Sequence, residues 1–86
     1  MEAKIEENSF GIIIDFGYGA SINRTLFLKL VHLGFAKVPV KGQNKFRSSP
    51  PAHIYKEQLQ AAENLVYDYN QGKFRKELLR PKSRQL

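Results

Sequence analysis

Two short segments of this 86-residue chain interleave aromatic and basic side chains. Residues 45–47 and residues 73–75 both read Lys-Phe-Arg. Aromatic rings stack on unpaired bases while neighbouring cations hold phosphates, a combination typical of proteins that bind single-stranded or looped RNA. The alternative interpretation is structural: Phe46 would belong to the core of a short strand, and Phe74 would pack against the preceding helix.

Positive charge is concentrated in the second half of the sequence. Residues 1–40 carry four Lys/Arg and four Asp/Glu, whereas residues 41–86 carry ten Lys/Arg and four Asp/Glu, which accounts for the whole net charge of +6. Two clusters hold most of the excess, a loop at residues 41–47 and a tail at residues 73–84. Clustered cations attract polyanions, and counterion release makes such binding depend on salt.

These patterns predict a non-enzymatic basic module that binds RNA or a ribonucleoprotein surface. With roughly four to six phosphates engaged, the logarithm of the affinity should fall against that of the salt concentration with a slope of about −3 to −5. No base selectivity is predicted, because phosphate contacts position a nucleic acid without reading its sequence. The predicted nucleic-acid-binding residues are Lys41, Lys45, Phe46, Arg47, Lys73, Phe74, Arg75, Lys76, Arg80, Lys82 and Arg84.

Metal and thiol chemistry lack the residues that they need. The chain has no cysteine, which removes disulfides, thiolate zinc ligands and thiol catalysis. The only two histidines, His32 and His53, lie on separate predicted helices, and a zinc site needs three or four ligands. We therefore expect no metal and no cofactor.

A glycine-rich segment, residues 17–21, joins a predicted strand to a predicted helix, where backbone amides can cradle phosphate. It lacks the third glycine of the dinucleotide fingerprint and the Gly-Lys-Ser/Thr of a P-loop. We interpret it as a tight turn, with a weak anion site as the alternative. Asp15 is expected to accept hydrogen bonds from the amides of the next helix turn, the alternative being a base or metal ligand of a phosphate-handling enzyme. We expect no catalytic residues.

The spacing of apolar residues predicts the strands and helices that position the basic and glycine-rich segments. Residues 9–16 contain three consecutive isoleucines, which are typical of a buried strand. A helix is predicted from a cap at Ser21 or Asn23 as far as Leu33, because its apolar residues recur at helical spacing. Gly34 is placed to end this helix.

The remaining elements complete an α+β fold. Residues 35–40 read as a second strand with Pro39 at an edge, and residues 44–48 are a candidate for a short third strand paired back on it. A longer helix is predicted from residue 52 or 53 to Asn70. The expected architecture is a two- or three-stranded sheet with two main helices on one face, in the order β-α-β-(β)-α, followed by a short basic C-terminal helix or tail.

The chain divides by composition into a flexible N-terminus at residues 1–8, a single domain at residues 9–72 and a basic amphipathic tail at residues 73–86. The alternative function is a small adaptor or regulatory subunit that docks on another protein through a sheet edge and the tail, whose apolar residues suit a groove or, weakly, an anionic membrane surface. No stretch is apolar enough for a transmembrane helix, and we expect a cytoplasmic protein.

Overall fold

The computed structural model describes residues 2–74, which form four β-strands and two α-helices. The strands are β1 (Lys4–Asn8), β2 (Gly11–Asp15), β3 (Ala36–Lys37) and β4 (Lys45–Ser48). The helices are α1 (Arg24–His32) and α2 (Tyr55–Asn70), and a 3-10 turn at Ala52–Ile54 leads into α2. The predicted α+β class is confirmed, whereas the predicted C-terminal helix or tail lies almost entirely outside the described residues.

The four strands form one antiparallel sheet in the order β1-β2-β4-β3. β4 lies between β2 and β3, so β2 and β3 run parallel to each other without pairing. The predicted pairing of the third strand back on the second is confirmed by Lys37 opposite Phe46. The sequence did not indicate that β4 also pairs with β2, because this contact joins segments that are separated by a helix and a strand.

The sheet has one strand more than the sequence predicted. β1 occupies residues that polar composition assigned to a flexible N-terminus, and it pairs with β2 across the turn at residues 9–10. Charged side chains such as Glu6 suit an edge strand, because they discourage pairing with another chain. Buried Ala3 anchors the strand, since the Asn70 side chain accepts a hydrogen bond from its amide at 2.8 Å and donates to its carbonyl at 3.3 Å.

The hydrophobic core lies between one face of the sheet and both helices. Its largest fully buried side chains are Ile12, Ile14, Phe16, Leu26, Leu30 and Phe46. Burying each of these stabilises the fold by about 1.5–3 kcal/mol. Because Ala62 and Leu65 of α2 join Leu26 and Leu30 of α1 in the same cluster, both helices cover one face of the sheet, as predicted.

No described helix covers the opposite face of the sheet, and charged side chains alternate across it. Lys4, Asp15 and Lys45 lie side by side on three neighbouring strands. In the next row, half-buried Ile13 lies opposite exposed Arg47. This uncovered face therefore carries positive and negative groups together rather than a single sign of charge.

The ends of α1 follow from specific residues. Of the two predicted caps, Asn23 is the one that acts, because its Oδ1 accepts a hydrogen bond from the Leu26 amide at 2.9 Å. Gly34 follows the helix with a φ of 93°, a left-handed conformation that favours glycine, and its amide donates to the Val31 carbonyl. The predicted start and end of α1 are thus confirmed to within two residues.

Candidate nucleic-acid interface

The sheet has two ends of different construction. The loop end consists of residues 16–23 after β2, residues 38–44 before β4, and Phe74. Backbone and side-chain hydrogen bonds join its two loops: the Phe16 amide donates to the Asn44 carbonyl, and Asn44 Nδ2 donates to the Gly17 carbonyl, both at 2.9 Å. The hairpin end consists of residues 8–11 and 48–55.

Tyr18 is the most exposed aromatic residue of the loop end. It lies between Gly17 and Gly19, and 69% of its surface is accessible. A Cβ built on Gly42 would lie 3.1 Å from Cε1 of the Tyr18 ring, so the two loops meet at this contact. The ring therefore rests against the loop that carries Lys41 while most of its surface stays open.

A cavity of about 540 Å³ opens beside Tyr18. Its lining residues are Glu2, Tyr18, Gly19, Ala20, Ser21, Asn23, Leu26, Tyr69, Asn70 and Phe74. Asn23 Nδ2 donates a hydrogen bond of 3.2 Å to the Phe74 carbonyl, which ties the last described residue to the start of α1. The described part of the chain therefore ends at the loop end, and residues 75–86 follow Phe74 in the sequence.

Both rings considered for stacking belong to the core, the structural alternative that the sequence analysis gave. Phe46 is fully buried and contacts the rings of Phe16 and Phe27 edge-on. Phe74 is 3% exposed and packs in the same core cluster. The reason is alternation: in β4, Phe46 and Ser48 point to the helix-covered face, whereas Lys45 and Arg47 point to the uncovered face. Neither ring can stack on a base without leaving the core.

The predicted cations among the described residues do not all lie together. Lys41 is exposed at the loop end, and Lys45 lies there opposite Asp15 of the neighbouring strand. Arg47 is exposed nearer the hairpin end, where it helps to line a shallow cavity. Lys73 lies 3.5 Å from Asp68, the only ion pair found within residues 2–74, so part of its charge is neutralised.

Most of the positive excess lies beyond the described residues. Residues 2–74 contain nine Lys/Arg and seven Asp/Glu, and residues 75–86 contain five Lys/Arg and one Asp/Glu. Four of the six net charges therefore belong to the tail. The predicted contacts at Arg75, Lys76, Arg80, Lys82 and Arg84 all lie outside the part of the chain that the structure describes.

Sequence reasoning missed Tyr18 as a candidate contact. The signal was an aromatic residue between two glycines in a strand-to-helix connection, where a large side chain has no helix or strand periodicity to direct it inward. The same segment otherwise forms the predicted turn. Asp15 Oδ1 accepts a hydrogen bond from the Gly17 amide at 2.9 Å, in the connection before α1 rather than in the helix turn where the sequence analysis placed the donors.

The hairpin end also exposes an aromatic ring but carries a different set of polar contacts. Phe10 is 65% exposed, and the Ser49 hydroxyl donates to its carbonyl at 2.7 Å. The Tyr55 hydroxyl donates to a carboxylate oxygen of Glu7 at 2.8 Å. This hydrogen bond, helped by the negative charge of Glu7, raises the pKa of Tyr55 above its ordinary value of 10.0.

Residues 2–74 contain neither a cluster of three metal-ligating side chains nor a helix long and apolar enough to span a membrane. No protein-family model, curated protein or solved structure matches this chain.

Proposed function

We propose that this protein is a non-enzymatic module that binds single-stranded or looped RNA, alone or on a ribonucleoprotein surface, through its loop end. One observation carries the proposal. The 38–44 loop contacts Tyr18, and Phe74, from which the basic tail continues, is hydrogen-bonded to Asn23 of the same 16–23 segment. The loop that carries Lys41 and the last described residue before the basic tail therefore both contact the segment that carries the exposed Tyr18 ring.

The charges at this end suit a flexible polyanion. Lys41 precedes Gly42, which lies against the Tyr18 ring, and the five Lys/Arg of residues 75–86 follow Phe74 in the sequence. A tail of this length reaches roughly 40 Å if extended, enough to follow several nucleotides. Asp15 and Glu2 reduce the local charge, so the tail supplies most of the attraction. Phosphate contacts of this kind give affinity and strong salt dependence rather than base selectivity.

The direct test is the affinity of the full chain for a labelled single-stranded RNA of about 15 nucleotides, measured over a range of salt concentrations. We expect a slope of log affinity against log salt of about −3 to −5. Lys41→Gln should reduce the steepness of this slope by about 0.7, the value for one phosphate contact on a single strand. No binding at low salt, or binding that salt does not weaken, would contradict the proposal.

Lys56→Gln is the matched control for this experiment. Lys56 is exposed in the first turn of α2, next to the hairpin end, and its substitution removes the same charge as Lys41→Gln. If the two variants lose affinity equally, the attraction comes from net charge alone and the loop end is not the binding surface. If only Lys41→Gln changes the slope, the contact is local.

A second candidate function, a protein-binding adaptor, is favoured by the outer surface of α1. Phe27, Leu28 and Val31 are 42–50% exposed, although α1 is a helix of only nine residues. Leu28 also lines a groove of about 600 Å³ between α1 and α2. Exposed apolar side chains grouped on one helix are a common feature of protein-docking surfaces.

The adaptor function has its own discriminating experiment. A partner bound through α1 should remain associated after nuclease treatment and in about 0.5 M salt, since screening at that strength leaves mainly apolar contacts. Leu28→Gln together with Val31→Gln should release such a partner without affecting RNA binding. Complexes that dissolve under nuclease or salt, or that survive the double substitution, would contradict docking through α1.

A further inference from the structure

We infer that the loop-end cavity is a site for one unpaired base, with Tyr18 as the stacking residue. This inference rests on the proposed RNA-binding function and adds a contact to the base itself, beyond the contacts to phosphate. The sequence analysis considered Phe46 and Phe74 as stacking residues, but both are buried. Tyr18 is exposed and takes this role in the inference.

The cavity has the size and walls of a small-molecule site. Its volume of about 540 Å³ falls within the roughly 300–1,000 Å³ that is usual for such sites. Leu26 and Phe74 of the core, together with half-buried Tyr69 packed against it, line the inner side of the cavity. Because Leu26 and Phe74 are buried, the aromatic surface available to a nucleobase is that of Tyr18 and Tyr69.

Tyr18 is held in a position to close the cavity on one side. Its ring lies against Gly42, where a Cβ would be only 3.1 Å away and where a φ of 80° already favours glycine. Substitution of Gly42 would therefore displace the ring. The remaining ring surface is exposed, and a tyrosine loses little conformational entropy when it stacks because it has only two side-chain torsions.

Hydrogen-bonding groups lie at the rim of the cavity. Exposed Ser21 carries a hydroxyl that can donate or accept, and exposed Glu2 carries a carboxylate that can accept from an exocyclic amino group of a base. Asn23 and Asn70 also line the cavity, but their side chains are already hydrogen-bonded to Leu26, Phe74 and Ala3. A phosphate next to the inserted base would then lie toward Lys41, which precedes Gly42.

This geometry requires an unpaired base. A base inside a duplex is stacked and paired, so it cannot enter the cavity without first being flipped out. The site therefore predicts a preference for single strands that the phosphate contacts alone would not produce, because lysines and arginines bind phosphates of both forms.

The test compares Tyr18→Ala with Tyr18→Phe and Phe10→Ala in the full chain. Tyr18→Ala should lower the affinity for single-stranded RNA about five- to hundredfold, the usual effect of removing one stacking ring, and should leave the salt slope unchanged. Tyr18→Phe keeps the ring and should bind as the wild type does. Phe10→Ala removes a ring of similar exposure at the hairpin end and should have no effect.

The results distinguish failure of the base site at Tyr18 from failure of the proposed RNA-binding function. Wild-type binding to single-stranded RNA that Tyr18→Ala does not change, or an equal loss for duplex RNA, overturns the base site and leaves the phosphate-binding function standing. Absence of wild-type binding overturns the proposed function itself. If Tyr18→Ala does not fold, Tyr18→Leu keeps an apolar side chain at this position without a ring to stack, and the same comparison applies to it.

Discussion

The two ends of the sheet differ in how tightly they are built, although both expose an aromatic ring beside a glycine. At the hairpin end, a Cβ on Gly11 would lie 2.2 Å from the Ser48 carbonyl oxygen, so the turn is closed against β4. At the loop end, a Cβ on Gly19 would meet no atom within 4 Å. The hairpin end therefore fixes strand pairing, whereas the loop end leaves open space in which a ligand can be accommodated.

The charges separate the two ends in the same way. At the hairpin end, the polar side chains of Glu7 and Tyr55 are hydrogen-bonded to each other. At the loop end, Lys41 is exposed and the chain continues from Phe74 into a tail with a net charge of +4. The closed turn and the proposed binding surface thus lie at opposite ends of one small sheet.

The largest effect that we expect is on stability, from Gly11→Ala. The added Cβ would collide with a backbone oxygen at a φ of 122°, so the strands must shift, and we expect a loss of more than about 3 kcal/mol. Gly19→Ala is the matched variant at the loop end, where only backbone strain of about 1–2 kcal/mol arises. Urea unfolding measures both free energies, and equal losses would refute the difference in packing.

The second-largest expected effect is on RNA affinity, when cations of the tail are removed. Replacing Arg80, Lys82 and Arg84 together by glutamine should make the salt slope shallower by about 2 and lower the affinity for single-stranded RNA about a hundredfold in about 0.1 M salt. The reason is that each lost phosphate contact removes about 0.7 from the slope. Fluorescence anisotropy in a salt titration measures both quantities. An unchanged slope would remove the tail from the binding surface.

A smaller effect separates the buried from the exposed aromatic residues. Phe46→Leu should cost about 1–2 kcal/mol of stability, because it leaves space in a packed core, yet RNA affinity should stay the same. Tyr18→Leu should show the reverse, with stability within about 0.5 kcal/mol of wild type and weaker binding. Thermal unfolding and anisotropy on the same samples give both values. A loss of binding in folded Phe46→Leu protein would restore this ring as a contact.

The smallest effect is a pH dependence at the hairpin end. The pKa of Tyr55 is raised in the folded chain, so the unfolded chain loses its proton first and stability falls as the pH rises above 10.0. Below that pH the hydrogen bond to Glu7 is intact and its contribution is fully present. Glu7→Ala removes both the acceptor and its negative charge and should make the melting temperature less sensitive to pH in this range. An identical pH profile would show that the hydrogen bond does not form.

The sequence predicted those parts of the fold that depend on local pattern. The α1 helix, its Asn23 cap and the glycine after it follow from spacing and residue type within a dozen residues. β1 was missed because a charged edge strand, with Glu6 and Glu7 in succession, has the composition of a flexible terminus. Its stability comes from the ladder with β2 and from the Asn70 contacts to Ala3, which join opposite ends of the chain.

The candidate site was predictable in its charge but not in its aromatic contact. Clustering of Lys and Arg is visible in the sequence, and it identifies residues 41–47 and the tail as the basic segments. Whether Phe46 faces the core or solvent depends on the register of β4 against β2, which a four-residue strand does not reveal on its own. The meeting of Gly42 with Tyr18 likewise depends on how two loops pack.

Cross-linking of the full chain to a single-stranded RNA by ultraviolet light, followed by identification of the modified residues, tests the difference between the two ends most directly. The account predicts adducts at Tyr18 and in the tail, and none at Phe10 or Tyr55. Adducts concentrated at the hairpin end, or RNA that binds without any adduct at the loop end, would contradict it.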